Sequence, residues 1–484
     1  MKTVLLTGAT GFVGRRLLYS LLKENINIKL LVRNKKKLEN QILERCQIYE
    51  GDTFNISILL EALKGVDVAV YLIHMMGKDE NYLEMEKQSA ENFRICCERN
   101  EVKQIIYLGG LGGDLEDASI HLKSRFLTGK ILSKNPEKVS VAWFRAGVII
   151  GSGSASFEII RNLVEKLPLM ITPKWVNTQT CPIYIDDVIE YLKAAILYET
   201  PIHSIIDIGM SPMTFKEMLI QTAQVMGLKR VIIGVPVLSP RLSSYWLILF
   251  TPVNYQLARE LVLGLKTKTI KMNDNAEKYF PHIRITPFKE AVKKALEEIE
   301  KNQVLSRWCD SSKGLVCDVP KIPEISKAVY RDIYIKKIDN SYASKIFYVC
   351  KNIGGQKGWY AFNFLWSIRG LIDKILGGYG TNVGRRSTEE IRVGDFIGFW
   401  KVIDIVEDKR LLLEAQMKLP GKAWLEFSID NESFTQTVYF YPKGLLGRIY
   451  WYCLLPFHKL IFKIMINKIV EEAKKLKDFT IPNL

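Results

Sequence analysis

Three glycines close to the amino terminus have the spacing of an anion cradle. In the run Thr7-Gly8-Ala9-Thr10-Gly11-Phe12-Val13-Gly14, Gly8 permits a tight turn out of a strand. Gly11 lets the backbone approach a diphosphate with no Cβ in the way, and Gly14 allows a helix to pack closely on a sheet. The exposed N–H groups and the positive end of that helix then hold the phosphates. Where a carboxylate for a ribose 2′-hydroxyl is expected, about 20 residues beyond the loop, the segment Lys29–Val32 ends in Arg33 instead. A guanidinium there grips a 2′-phosphate bidentately, and Lys35, Lys36 and Lys37 add positive potential; the alternative is a solvated strand-end charge. The chemistry implied is the binding of a pyridine dinucleotide, NADP(H) in preference to NAD(H). The binding residues expected are Gly8, Thr10, Gly11, Phe12, Val13, Gly14, Arg33, Asp52, Leu72, Ile73 and His74. Asp52 is placed to accept from an adenine amino group or simply to close a turn, and His74 either passes the cofactor or is a satisfied core histidine.

These residues need a frame. Short β-branched runs at Thr3–Thr7, Ile28–Val32, Cys46–Tyr49, Val66–Leu72, Gln104–Leu108 and Val139–Phe144 alternate with helix-length segments, the clearest being Asn81–Asn100 and His121–Leu132. Such alternation demands parallel pairing, hence an α/β fold with a doubly wound Rossmann-type sheet. Mixed α/β texture continues to a charged helix at Phe288–Lys301. Residues 302–328, with two prolines and little periodicity, read as a linker. Beyond it Ala423, Leu425, Phe427 and Ile429 alternate with Trp424, Glu426, Ser428 and Asp430, a period of two with one wet face. With runs at Asp395–Ile405, Arg410–Lys418 and Phe434–Tyr441 this makes an antiparallel meander, followed by a helix from about Pro456 to Leu476. The expected domains are 1–301 (dinucleotide-binding, with a small substrate subdomain), the linker 302–328, and 329–484, an α+β domain.

The 484 residues, 48% hydrophobic and 25% charged, have a globular composition, excluding long disorder and a disulfide-stapled mini-protein. No run of about 18 apolar residues exists, which excludes a multi-span membrane protein. Eight cysteines lie scattered with no CxxC pair, so they read as reduced structural thiols in a cytosolic protein with no metal site. The start, MKTVLLTGATGFVG, has too short an apolar stretch for an export signal. The net charge of +16 reads as dispersed solubilising lysine or, alternatively, as attraction to anionic partners such as phosphate-bearing ligands or a membrane face; no nucleic-acid-binding motif accompanies it. Ile449–Val470 is apolar but interrupted by Pro456, His458, Lys459, Lys463 and Lys468. It is a poor spanning helix, suited to burial in a domain or, alternatively, to peripheral membrane contact. Tyr245–Phe250 is a second apolar patch, too short to span.

The glycine run, Arg33, Gly51-Asp52 and Phe144–Gly151 resemble the short-chain dehydrogenase/reductase superfamily. His121–Arg125 (HLKSR), Pro173–Val188 and Gly151–Arg161 are similar to its atypical bacterial members, of the NAD-dependent epimerase and NmrA-like kind. Gly354–Lys374 and Trp451–Lys463 resemble the carboxy-terminal domain of unknown function that some of these carry, related to START-like helix-grip folds. The resemblance implies an oxidoreductase acting on a small or apolar carbonyl or alcohol. Members usually carry a serine after the fifth strand and a Tyr-x-x-x-Lys on the next helix. Here Gly109-Gly110 follows that strand, the helix presents His121-x-x-x-Arg125, and no tyrosine lies between 108 and 142. His121 then replaces the tyrosine as general acid with Arg125 supplying fixed positive charge, or both are structural and the domain is a non-catalytic redox sensor or scaffold. Lys123 and Arg145 are further candidates to hold phosphate or substrate. Asp186-Asp187 suits N-capping better than acid–base work. The aromatics of the second domain fill a core, or line a cavity for a hydrophobic ligand.

Overall fold

The computed structural model describes residues 1–74, 82–116, 118–235, 263–264, 266–300, 304–306, 325, 328–354, 358–375, 391–430 and 432–476. The chain divides into two compact units, Met1–Asp318 and Val319–Leu484. Tyr245–Phe250 and most of the expected linker lie outside the described residues.

The first unit is built on seven parallel strands, β1 (Thr3–Thr7), β2 (Asn27–Val32), β3 (Gln47–Glu50), β4 (Val68–Tyr71), β5 (Gln104–Gly110), β6 (Ser140–Ala146) and β7 (Ser204–Ile208), in the order β7-β6-β5-β4-β1-β2-β3. Successive side chains of a strand point to opposite faces, so the apolar runs feed two cores at once. Val4, Leu6, Leu30, Val70 and Ile106 pack on one side; Leu5, Leu31, Ala69, Tyr71 and Ile105 pack on the other. This is why the strands read as continuous hydrophobic stretches, as a sheet covered by helices on both faces must. Helices α1 (Phe12–Leu21), α2 (Tyr82–Arg99), α3 (Ile120–Leu132), α4 (Ile185–Leu197) and α5 (Phe288–Glu300) carry the parts of the unit that matter below. Asp187 lies in the first turn of α4 but caps nothing: its carboxylate, held up in pKa by burial, accepts from the backbone N–H and the hydroxyl of Thr286, both at 2.8 Å. The expected N-cap is thus a tertiary clasp, and Tyr184 occupies the cap position.

The second unit holds an antiparallel sheet of β8 (Tyr330–Lys337), β9 (Phe396–Ile397), β10 (Trp400–Val406), β11 (Arg410–Ala415), β12 (Gly421–Ile429) and β13 (Ser433–Pro442), ordered β8-β13-β12-β11-β10-β9. Helices α6 (Ala343–Lys351), α7 (Asn363–Ile375) and α8 (Gly444–Lys475) complete it. Leu425, Phe427, Val438 and Phe440 share one core with Phe462, Met465, Ile469 and Ala473 of α8. Two expectations need correction. The face expected to be wet holds a second small core, in which Trp424 is buried against Val393, Ile403 and Leu412; Glu426 on the same face is paired with Arg410 at 2.5 Å. And α8 begins at Gly444, with Pro456 inside it. A proline inside a helix removes one N–H donor and crowds the carbonyl four residues back; the helix continues through it because Trp451 before it and Ile461 and Phe462 after it are packed in the core.

Candidate active site

In a doubly wound sheet the ligand crevice opens beyond the carboxyl ends of the strands, where strand order reverses; here that point lies between β1 and β4. Thr7 pins the two strand ends together: its hydroxyl donates to the Val70 carbonyl at 2.9 Å and accepts from the Leu72 N–H at 3.2 Å. Gly8 follows with φ +70°, and a Cβ on it would lie 2.6 Å from the Leu72 carbonyl oxygen. A Cβ on Gly14 would lie 2.1 Å from the Gly8 carbonyl oxygen, so the first turn of α1 backs directly onto the loop. Gly11 is the N-cap of α1, so the cap position supplies no side chain to that end, and no acid lies in its first turn. The first N–H groups of a helix have no intrahelical acceptor, so this end presents donors and positive potential to an anion. The Phe12 and Val13 side chains pack against the core, leaving their main chain as the part that reaches the loop. Thr10 is half-buried.

Arg33 is exposed immediately after β2, the strand next to β1. The lysines behind it are less free than their charge suggests. Lys35–Lys37 forms one 3-10 turn capped by Asn34, Lys37 is buried, and its carbonyl accepts from Arg15, which pairs with Glu39 at 2.6 Å. Asp52 accepts from the Phe54 N–H at 3.0 Å, the turn-closing role.

The residues with acid–base chemistry gather beside this crevice. His74, just past β4, has its Nδ1 2.6 Å from Glu86 Oε1 on α2. The other oxygen of Glu86 accepts from the Ser124 hydroxyl on α3. The His74 and His121 rings stand 4.7 Å apart between centroids. Arg125, one turn beyond His121, donates to the Leu108 carbonyl at 2.7 Å, while its own carbonyl accepts from the Tyr107 hydroxyl at 2.8 Å. Burial, then the neighbouring His74 and Arg125, hold His121 well below the ordinary histidine pKa. Three buried nitrogens here, His74 Nε2, His121 Nδ1 and Arg125 Nε, have no hydrogen-bond partner among the described residues. Such orphans cost about 1–3 kcal/mol each, and three side by side mark a place where a ligand is expected to supply the partners.

His74 and His121 therefore come together, although the sequence separates them by a strand and a helix. Glu86 and Ser124 escaped the sequence reading. Ser124 carried a usable signal, since it lies three residues after His121 and so on the same helix face; Glu86 carried none. Arg145 and Lys123 are otherwise engaged. Arg145 is clamped by buried Asp207 at 2.7 and 3.0 Å and reaches Asp114 at 3.3 Å; Lys123 donates to the Glu116 carbonyl. Tyr107 does not stand in for the missing tyrosine: its hydroxyl is spent on Arg125, and burial pushes its pKa up to about 12. Among the described residues no group of three His, Cys, Asp or Glu side chains is placed to hold a metal.

Comparison with known proteins agrees with this division of the chain. A family described as NAD(P)H-binding matches residues 8–135, and a family described as a protein of unknown function (DUF2867) matches residues 325–465. A nucleoside-diphosphate-sugar epimerase from Staphylococcus aureus superposes with a TM-score of 0.50 at 16% identity, covering 60% of this chain and 100% of that one. The triphenylmethane reductase of a Citrobacter species does so with a TM-score of 0.50 at 19% identity, covering 61% and 100%. At these identities the likeness is one of fold. No curated protein matches the chain. The amino-terminal unit thus carries an NAD(P)-binding domain on a Rossmann-type sheet, and the carboxy-terminal unit a domain whose family has no assigned function.

Proposed function

We propose that the amino-terminal unit is an NADP(H)-dependent oxidoreductase of the short-chain type, acting on an alcohol/carbonyl pair with His121 in the place of the usual tyrosine. The observation that carries this reading is the set of orphaned nitrogens on His74, His121 and Arg125 beside the glycine loop. The cradle fits the cofactor: Gly14 leaves no room for a side chain, and the cap position of α1 is a glycine with no side chain to compete for its first N–H groups. The preference for NADP(H) rests on Arg33, which stands where an acid would favour NAD(H).

When bound, the nicotinamide supplies the hydride acceptor or donor. The depressed pKa of His121 gives it a direction at neutral pH: the ring is neutral, so it suits taking a proton from an alcohol hydroxyl better than donating one. That reverses the general-acid role expected from sequence. An alcohol held here would give its hydroxyl proton to His121, whose depressed pKa would favour handing that proton on toward His74, whose ring stands 4.7 Å away between centroids. Glu86 accepts from His74 Nδ1–H and so keeps Nε2 as the free acceptor; Arg125 stabilises negative charge on the substrate oxygen. NADP⁺ with a panel of primary and secondary alcohols tests this. Turnover that His121→Asn abolishes while leaving NADP⁺ affinity intact is expected; turnover that survives that substitution refutes the role of His121.

The absent Ser-Tyr-Lys set favours a second reading, a redox sensor that binds the cofactor without turning it over. A sensor must bind NADPH and NADP⁺ with different affinities, since only differential affinity shifts a conformational equilibrium. For the second unit we propose a START-like helix-grip arrangement, α8 lying on an antiparallel sheet. The space between them is filled by Trp359, Phe399, Phe427, Phe440 and Phe462, which supports a packed core over a hydrophobic-ligand carrier.

A further inference from the structure

We propose that the second unit docks on an anionic lipid surface through the exposed apolar faces of α7 and the first half of α8. On α8 the side chains of Leu445 (73% exposed), Leu446 (74%), Ile449, Tyr452, Phe457 (58%) and Leu460 stand in solvent. On α7 Phe364 (59%), Ile368, Leu371 (60%) and Ile372 do the same, at the 3–4-residue spacing of one helix face. Both helices are tied to the same turn between β11 and β12. Arg369 donates to the Lys418 carbonyl, Asp373 accepts from the Lys418 N–H at 2.7 Å, and a Cβ on Gly447 would lie 2.3 Å from the Pro420 carbonyl oxygen. The two apolar stripes therefore flank one end of the sheet. Single exposed leucines are ordinary; ten large apolar side chains on two adjacent helices are the kind of surface that a partner covers.

Charge decides the partner. From Gly444 to Val470 the sequence contains no aspartate or glutamate. At 100° per residue, exposed Arg448, Lys459 and Lys463 fall on one flank of the apolar arc, while Trp451, Ile461, Phe462 and Met465 face the core. The one acid of α7, Asp373, is buried and spent on the backbone of Lys418. An apolar arc bordered by cations with no anion is what an interfacial helix presents to acyl chains and anionic headgroups together. No helix among the described residues is long and apolar enough to cross a membrane, so the surface lies on the bilayer and does not span it.

Flotation of the full-length protein with vesicles of pure phosphatidylcholine or of phosphatidylcholine with phosphatidylglycerol tests the assignment. Recovery with the anionic vesicles is expected to exceed that with neutral ones and to fall as salt is raised. Replacing Arg448, Lys459 and Lys463 with glutamine is expected to weaken binding about fivefold for each charge lost. Leu446→Asp with Phe457→Asp abolishes binding while the thermal unfolding transition and NADPH affinity stay as in the wild type, both sites being exposed. No flotation with either vesicle overturns the proposal, as does flotation that the double variant leaves unchanged. A concentration-dependent dimer by light scattering that the double variant dissolves also overturns it, assigning the face to a second copy of the chain.

Discussion

Replacing Gly14 with alanine tests the whole cofactor reading without needing a substrate. The new Cβ would sit 2.1 Å from the Gly8 carbonyl oxygen and 2.7 Å from its carbon, whereas ordinary contact begins at 3.4 Å. Helix and loop must therefore separate by about 1.3 Å, through backbone atoms that have no rotamer to escape into. Overpacking of this kind costs about 1–3 kcal/mol of stability. The larger effect falls on binding. A hydrogen bond tolerates only a few tenths of an ångström around about 2.9 Å, so the same displacement breaks the contacts between the start of α1 and a diphosphate. Two such charge-assisted bonds, each worth about 1.5–3 kcal/mol, correspond to a loss of affinity of at least about 100-fold. Titration calorimetry with NADPH on wild type, Gly14→Ala and Gly234→Ala measures it; the last is the control, since a Cβ there meets nothing within 4 Å. Wild-type affinity in Gly14→Ala, with the control unchanged, refutes the argument that the close approach of loop and helix builds the cofactor site.

Four further outcomes are expected. Arg33→Ser raises the Kd for NADPH about tenfold or more and leaves that for NADH unchanged, because one charge-assisted phosphate contact is lost; parallel titrations with the two cofactors read the ratio. Glu86→Gln removes the carboxylate that His74 and Ser124 share, so it shifts the pH profile of turnover and lowers kcat more than it raises KM, which a merely structural loss would not do. Asp207→Asn leaves the buried Arg145 guanidinium without its counter-charge and destabilises the first unit by about 3–5 kcal/mol in urea unfolding. In the second unit, burial holds His458 at a pKa of about 4. Unfolding lets it take a proton, so stability is full above the ordinary histidine pKa and falls as pH drops through 6.5 toward 4, by about 3 kcal/mol in all. His458→Gln removes that slope, which urea melts at pH 7 and pH 4.5 compare directly.

The parallel sheet and its glycine loop were legible in the residue order because both are local. A strand buried on both faces must be apolar along its length, and a loop closing on a diphosphate must lack Cβ atoms at fixed offsets. Thr3–Thr7 and Gly8–Gly14 satisfy those demands within a dozen residues, before any distant contact forms. The same locality misled at Pro456, where a helix breaker read as a helix start, and at Trp424, whose burial depends on Val393, Ile403 and Leu412.

What the chain order by itself determined is therefore the class of sheet, the cofactor cradle and the missing Tyr-x-x-x-Lys. The tertiary structure alone decided which side chains gather beside that cradle, His74, Glu86, His121 and Ser124. Glu86, thirty-five residues before His121, stands between His74 and Ser124 only because α2 and α3 pack side by side over the ends of β4 and β5. The same packing half-buries His121 and strips solvent from its ring, which lowers its affinity for a proton. A pKa is set by the charges and solvent around a group, and no spacing along the chain records those.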